Sequence, residues 1–541
     1  MEQLSGTCSP LQSQENTSTN NRSAFDGMLI AVMLAASTLL ASCGGPSLSP
    51  AAIDVGIAKT QNPLVAELKI LSGCSGQAMV EFGPDTTYGR STSWYPVSAH
   101  QMSSIMVAGM RAATTYHMRV QRQCSGANDT APDKTFTTGP LPSTPPFPVL
   151  QVSRAVNTSA SASTSENGGI ELIDTIDSTA NLMQAYFTDR DGNPIWYYDV
   201  GPGNSPFAFK PLSSGDILFN IVTPANGDSM LREVDLAGNT IREMDIGILQ
   251  QKVQAAGYDF FPLGFHHDFY PLPNGHLIIL TDSLTTFTDL PGYPGALQVQ
   301  GDNLIDLDPN WNPVWSWNSF DHLDVNRHLF GLPDWTHANA VVYLPKDGNL
   351  LLSMRHQSWI LKIDYANGTG SGNVLWRLGY QGDFALAQGD DPSLWFSFQH
   401  FPSLVSQNGP LITLAIWDNG DFRPLDTSGT TCLIPGPPVC YSRATLFQVD
   451  EGAMVANLVW EDSPGFFSVW GGSVNQLPNG NIEFDSNALL VPPVPNVASE
   501  IQEVTQTANP VIIWKMDIPL PMTAYRAYRV PSLYPGVTWQ Y

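Results

Sequence analysis

Four stretches of this 541-residue chain carry the polar residues from which a catalytic centre can be assembled. They read GFHHDFYPLPNGHLIIL from Gly264, DWTHANAVVYLPKDGNLLLSMRH from Asp334, SFQHFPSLVSQNGPLITLAIWDNG from Ser397 and WGGSVNQLPNGNIEFD from Trp470. Each opens on a polar cluster and runs into an apolar strand with a tight turn in or just before it. The first three place histidine at nearly one register: His266 and His267, His337, and His400. A single histidine is more often a turn or packing residue than a catalyst, and His276, His322, His328 and His356 are read that way. Histidines recurring at one point of a structural repeat are expected to meet at one place in the fold. Neutral imidazole, with a reference pKa of about 6.5, is a nucleophile and a proton carrier at neutral pH. Arg355, at the end of the second stretch, offers a planar fork for an oxyanion.

The elements that must position these residues are short strands. A second phrase, strand then Asp/Gly-rich turn then strand ending near tryptophan, occurs six times: AYFTDRDGNPIWYYDV, LREVDLAGNTIREMDIG, NLIDLDPNWNPVWSW, ILKIDYANGTGSGNVLWRLG, LFQVDEGAMVANLVWED and EIQEVTQTANPVIIWKMD. Each reads as an outer hairpin whose aromatic packs between sheets. Alternating with FAFKPLSSGDILFNI and the four stretches above, they predict a six-bladed β-propeller over residues 165–541. The terminal TAYRAYRVPSLYPG is expected to pair near Gly169 and close the ring. Innermost strands line the axial channel, so the histidines should converge at one of its mouths. Residues 63–139 alternate over several short strands and predict a small β-sandwich, fibronectin type III-like, with Tyr116 at its corner. A proline-rich linker occupies 140–164 and a tether 44–62. The fold class is all-β.

Composition limits the function. Twenty-four basic against 49 acidic residues leave a formal charge of −25, which repels phosphate backbones and argues against nucleic acid as a partner. An anionic substrate would need a local positive pocket to offset that field. Residues 1–43 read as a leader. Its apolar run, MLIAVMLAASTLLAS at 28–42, is short for a permanent span and fits the core of a secretory signal. Leu40-Ala41-Ser42-Cys43 resembles the bacterial lipobox, which implies cleavage before Cys43 and its lipidation; a plain cleaved signal or an uncleaved anchor is the alternative. Export makes the remaining cysteines, local pairs Cys74 with Cys124 and Cys432 with Cys440, two expected disulfides.

DWTHAN, SMRHQ, the FQH entry, the WDNGD turn, the YSRA strand and the final YRAYRVPSLYP occur in an order that resembles the bacterial arylsulfotransferase (aryl-sulfate sulfotransferase) family over most of 165–541. The resemblance implies a periplasmic propeller behind a small β-domain. It implies transfer of a sulfuryl group from a phenolic sulfate ester to an acceptor phenol through a sulfated histidine, with no nucleotide sulfate donor and no cofactor. Carried over by motif, His400 is the nucleophile, while His337, Asn339 and Arg355 hold sulfate oxygens. His266 or His267 is a further channel histidine, and Ser473 lines the same mouth. The Cys432–Cys440 pair becomes a short loop near the site. Phe265, Trp335, Phe467 and Trp470 are the aromatics expected to hold the aryl ring.

Two other classes compete. Converging histidines with Asp268 could hold a divalent metal in a propeller hydrolase or lactonase, although an arginine in the cluster would repel the cation. A non-catalytic binding propeller would tolerate loss of His400. The expected partners are small phenolic sulfates and phenols, with membrane contact only through a lipid anchor and homodimerisation left open. The residues do not name the natural donor or acceptor.

Overall fold

The computed structural model describes residues 49 and 52–540, apart from 126, 156–165, 178–181, 226, 434–437, 488 and 492–496. The leader 1–43, with the lipidation expected at Cys43, lies outside the described residues, as does most of 44–51.

Six sheets of four or five strands, antiparallel except for the outermost pairing of Ala385–Leu386 in blade 5, form a six-bladed propeller among the described residues after 150. Their innermost strands are Ser205–Pro211 (blade 2), Phe265–Pro271 (blade 3), Ala338–Leu344 (blade 4), His400–Asn408 (blade 5), Ser473–Gln476 (blade 6) and Met522–Val530 (blade 1). The last pairs with Ile170–Asp177, Ile170 opposite Val530, so the two ends of the domain share one blade as expected. The next strand outward in blade 4, Asn349–Met354, is buried at every residue, because a propeller blade is covered on both faces by its neighbours. Blades 2, 3 and 6 repeat one hairpin: the amides of Gly215, Gly275 and Gly480 bond the carbonyls of Leu212, Leu272 and Leu477. Gly275 and Gly480 adopt φ +84° and +86°, a conformation that glycine takes without steric cost.

Before the propeller, two sheets pack as a sandwich, and the Tyr116 hydroxyl accepts the Arg111 amide at 3.0 Å, the corner expected of this fold. Cys74–Cys124 joins its strands and Cys432–Cys440 closes a loop on blade 5.

The expected boundaries shift at two points. Ile53–Lys59, within the expected tether, is a strand paired with Ala66–Ser72, and Gln151–Arg154, within the expected linker, is the outermost strand of blade 6. Both are edge strands: the first pairs with the next strand in the chain, the second with Ile512–Pro519 far along it. The sandwich is also welded to the propeller. The Tyr534 hydroxyl donates to Met106 O and the Trp539 indole to Ser91 O, and both rings join one core with sandwich and blade residues.

At the seam of blades 1 and 6, Arg529 pairs with Glu171, Glu483 and Glu503, and Arg190 with Glu171 and Glu503. This buried network fixes the strand that carries Tyr525 and Arg526 into the channel.

Candidate active site

Regular strands would turn successive side chains to alternate faces. The inner strands of blades 2 to 5 instead break register near the same end: at Pro206/Ala208, Phe265/Phe269, Ala338/Ala340 and His400/Ser403. Such bulges re-aim side chains. His267 and His337 also take left-handed backbone, φ +49° and +50°, which costs a non-glycine residue about 1–3 kcal/mol and recurs at functional sites.

These distortions bring imidazoles from three blades together. The His267 ring lies 4.8 Å from that of His337, and His337 stacks on His356 at 4.5 Å. His267 and His400 both meet the Tyr525 ring edge-on, at 5.9 and 6.0 Å. Of the histidine pair left open by the sequence, His267 enters this cluster. His266 turns behind it, its Nε2 3.1 Å from Asp302 Oδ1 and its Nδ1 3.0 Å from His267 Nδ1. Burial opposes charge on His266, but Asp302 and Asp282 prevail and raise its pKa. His267 and His400 go the other way: burial, then the positive groups around them, push both well below the ordinary imidazole value.

His337 Nδ1 donates to Asp334 Oδ2 at 2.6 Å, which leaves its Nε2 to the channel. Burial opposes charge on Asp334, yet that bond and the neighbouring His337, His356 and Arg355 hold its pKa below the usual carboxylate range. Arg355 Nη1 donates to His356 Nε2 at 2.8 Å and Nη2 to Val469 O at 3.0 Å, while its buried Nε has no protein partner. His356, expected to be a packing residue, therefore orients the guanidinium. Since arginine can only donate, His356 Nε2 accepts and Nδ1 donates, to Asp334 O at 2.8 Å. Burial, then His337, lowers the His356 pKa to about 4, so it stays neutral.

Beneath the cluster, Asp268 receives Lys210 at 2.6 Å and Arg526 at 3.1 Å on one oxygen and the Val341 amide at 3.0 Å on the other. Two cations share one carboxylate. Burial raises Asp421 and Asp174 to about 7, which weakens the negative charge beside the site. A chain with a large net negative charge thus keeps a locally positive channel.

The other expected residues are placed as follows. Asn339 is fully buried; its side-chain nitrogen donates to Gln399 O at 2.7 Å and its backbone carbonyl accepts Arg526, so it braces the strand of His400, while its Oδ1 has no protein partner. The Ser473 hydroxyl donates to Ala527 O and ties blade 6 to blade 1. Phe265, Trp335 and Phe467 fill separate hydrophobic cores, Phe467 against the Cys432–Cys440 disulfide, and none offers a face to a ligand. Asp268, a proposed metal ligand, is engaged by two cations. Two aromatic groups stand at the mouth instead. Phe330, Phe398 and Phe422 cluster beside Arg355 and His356, with Phe330 and Phe422 51% and 41% exposed. Trp470 stacks on Tyr525 at 6.2 Å, and Phe207 stacks on Tyr525 at 5.3 Å. Tyr525 was missed in the sequence; its buried hydroxyl has no partner, and burial raises its pKa. The repeated Tyr-Arg of YRAYR is the one signal that could have marked it.

Asp334, His337 and His356 have ligand atoms within 4.8 Å of one another, close enough to hold a metal ion. Both nitrogens of His356 are already engaged, and Arg355 touches one of them. A fixed guanidinium there suits an anion better than a cation.

Residues 155–529 match the family described as Arylsulfotransferase (ASST). The arylsulfate sulfotransferase AssT of Escherichia coli O6:H1 (strain CFT073) is 27% identical over 150 residues, covering 24% of this chain and 23% of that protein. The match thus spans about a quarter (23%) of the length of that relative. Among solved structures, cobalt-substituted Synechocystis ACO aligns with TM-score 0.32 and 11% identity, covering 89% of this chain and 97% of that one. A protein of unknown function from Bacteroides caccae aligns at 0.29 and 10%, covering 55% and 94%. Structural likeness at this level carries no argument about function.

Proposed function

The chain belongs to the arylsulfotransferase family, and on that premise we propose that it moves a sulfuryl group from a phenolic sulfate ester to an acceptor phenol in two half-reactions through His400, without a nucleotide donor. The observation that carries this reading is a buried His400 whose Nδ1 is fixed on Asn419 Oδ1 at 2.7 Å, with burial and then Arg355 lowering its pKa. Nε2 of His400 attacks sulfur. The N–S bond forms, the S–O bond to the aryl group breaks, and its electron pair leaves on the phenolate. Charge spreads over the equatorial oxygens in such a loose transition state, and the unpartnered Arg355 Nε–H is a donor for them. His337, oriented by Asp334 as a triad histidine is by its carboxylate, protonates the leaving phenolate from Nε2. In the second half-reaction it takes the proton of the acceptor phenol. That phenolate attacks sulfur, and the N–S pair returns to His400.

The test is a chromogenic aryl sulfate with and without an acceptor phenol, with and without chelator. Phenol-dependent release, unaffected by chelation, is expected. Equal release into water alone points to a sulfatase, and loss on chelation favours a metal at Asp334, His337 and His356. The Cys74–Cys124 and Cys432–Cys440 disulfides support an exported location, for which the leader and a lipidated Cys43 are our reading.

The exposed Phe330 and Phe422 rings are assigned to the aryl group. Phe330→Ala or Phe422→Ala is expected to raise KM for a phenyl sulfate by about 10-fold with kcat little changed, the scale of one lost aromatic contact. Steady-state kinetics with both variants check this.

A further inference from the structure

We infer that Asn419 is a positioning residue that fixes the tautomer of His400, holding a proton on Nδ1 so that Nε2 presents its lone pair to sulfur. The inference rests on the sulfuryl-transfer reading for its consequence and on hydrogen bonding alone for its geometry. Asn419 lies in the WDNGD turn that ends the second strand of blade 5, and it is fully buried. Its amide nitrogen donates to Ser468 O at 2.8 Å and to Gly471 O at 3.1 Å, both in the segment that leads into the inner strand of blade 6. Two carbonyls can only accept, so the amide cannot flip, and Oδ1 is left facing His400 Nδ1 at 2.7 Å. An amide oxygen also only accepts. The proton of a neutral His400 therefore sits on Nδ1.

The turn itself is held. Asp418 receives Arg423 at 2.7 Å and Arg443 at 2.8 Å, and it accepts the Ser397 amide at 2.9 Å, three residues before His400. The Arg423 amide and carbonyl both bond Cys432, so the disulfide loop clamps the same turn. The carbonyl of Asn419 accepts the Ser442 hydroxyl at 2.7 Å. Asn419 is thus set between two blades with its orientation overdetermined.

The choice of amide over carboxylate has a chemical reason. A carboxylate on Nδ1 stabilises imidazolium, as in a serine-protease triad. Here the ring must be neutral to attack. Once Nε2 carries the sulfuryl group the ring becomes cationic, and it must then lose sulfur to the acceptor. A carboxylate would raise the ring's pKa, favouring the protonated, non-nucleophilic form, and would stabilise the cationic intermediate; an amide orients the ring without adding charge. Among the described residues, the charged and titratable groups facing His400 are Arg355, His337, His267, Arg526 and Tyr525, and its hydrogen-bonding partner is the Asn419 amide, not a carboxylate.

Histidine-selective ¹⁵N labelling of the full chain tests the tautomer directly, with the His400 resonances assigned by their loss in His400→Asn. A protonated Nδ1 and a bare Nε2 are expected; the opposite tautomer overturns the inference, whether or not the protein transfers sulfate. Asn419→Ala is expected to lower kcat about 100-fold, the scale for loss of a group that orients a reacting histidine, while KM for the aryl sulfate stays within about twofold. A folded Asn419→Ala with unchanged kcat also overturns it. If that variant does not fold, the wild-type tautomer decides. A wild type with the expected tautomer but no phenol-dependent turnover removes the sulfuryl-transfer reading and leaves the geometry standing.

Discussion

His400→Asn is expected to lower phenol-dependent sulfuryl transfer by at least about 10⁴-fold, the scale seen when a covalent nucleophile is removed from an enzyme that keeps its binding groups. Asparagine keeps a polar side chain in a site 2% exposed and leaves Arg355, His337 and the Asp268 floor in place. Wild-type enzyme quenched with donor in the absence of acceptor should carry one added sulfuryl group on the peptide containing His400, and the variant none. Persistence of the label in His400→Asn, or its appearance on another residue, removes His400 from the role. Initial rates with a chromogenic aryl sulfate and phenol, beside the mass of that peptide, make both measurements.

Arg355 carries the second large effect. Its three nitrogens divide their work: Nη1 reaches His356, Nη2 reaches Val469 O, and Nε is buried and unpartnered. A donor aimed at developing charge typically contributes about 2.7–4 kcal/mol to the barrier, so Arg355→Met is expected to lose about 10²–10³ in kcat. Arg355→Lys retains charge but cannot span three directions and is expected to recover only part of the loss. A pH effect follows. The His400 pKa is depressed first by burial and next by Arg355. Removing that cation lets the pKa rise, so the neutral nucleophile is lost at a higher pH on acidification. The acid limb of kcat/KM should therefore move to higher pH in Arg355→Met. A limb that stays in place or moves lower separates Arg355 from the field on His400.

Legibility in the sequence followed the range of each interaction. Repetition made the propeller visible: six outer phrases and five inner ones recur because each blade solves the same local problem, a hairpin closed by a tight turn and a strand buried by its neighbours. His400, His337 and Arg355 were legible from their place in the repeat and from the order of motifs around them. The strands Ile53–Lys59 and Gln151–Arg154 were not, since an edge strand shows itself only through a partner, and for Gln151–Arg154 the partner strand, Ile512–Pro519, lies more than 300 residues away. Hydrophobicity could not separate Phe265, Trp335 and Phe467, which fill cores, from Phe330 and Phe422, which face the mouth. The two classes differ in what packs over them, not in type.

The sequence by itself determined the all-β repeat, the short Cys432–Cys440 loop, and which blades carry imidazoles, because these depend on local pattern and short spacing. Only the tertiary structure decided that His267 rather than His266 enters the imidazole cluster, that His356 touches Arg355 and Asn419 touches His400, and that Asn339 and Ser473 hydrogen-bond across blades. Those outcomes depend on bulges, left-handed residues and hydrogen bonds between blades. They fix a side chain's direction through atoms far away in the chain, and no local pattern encodes them.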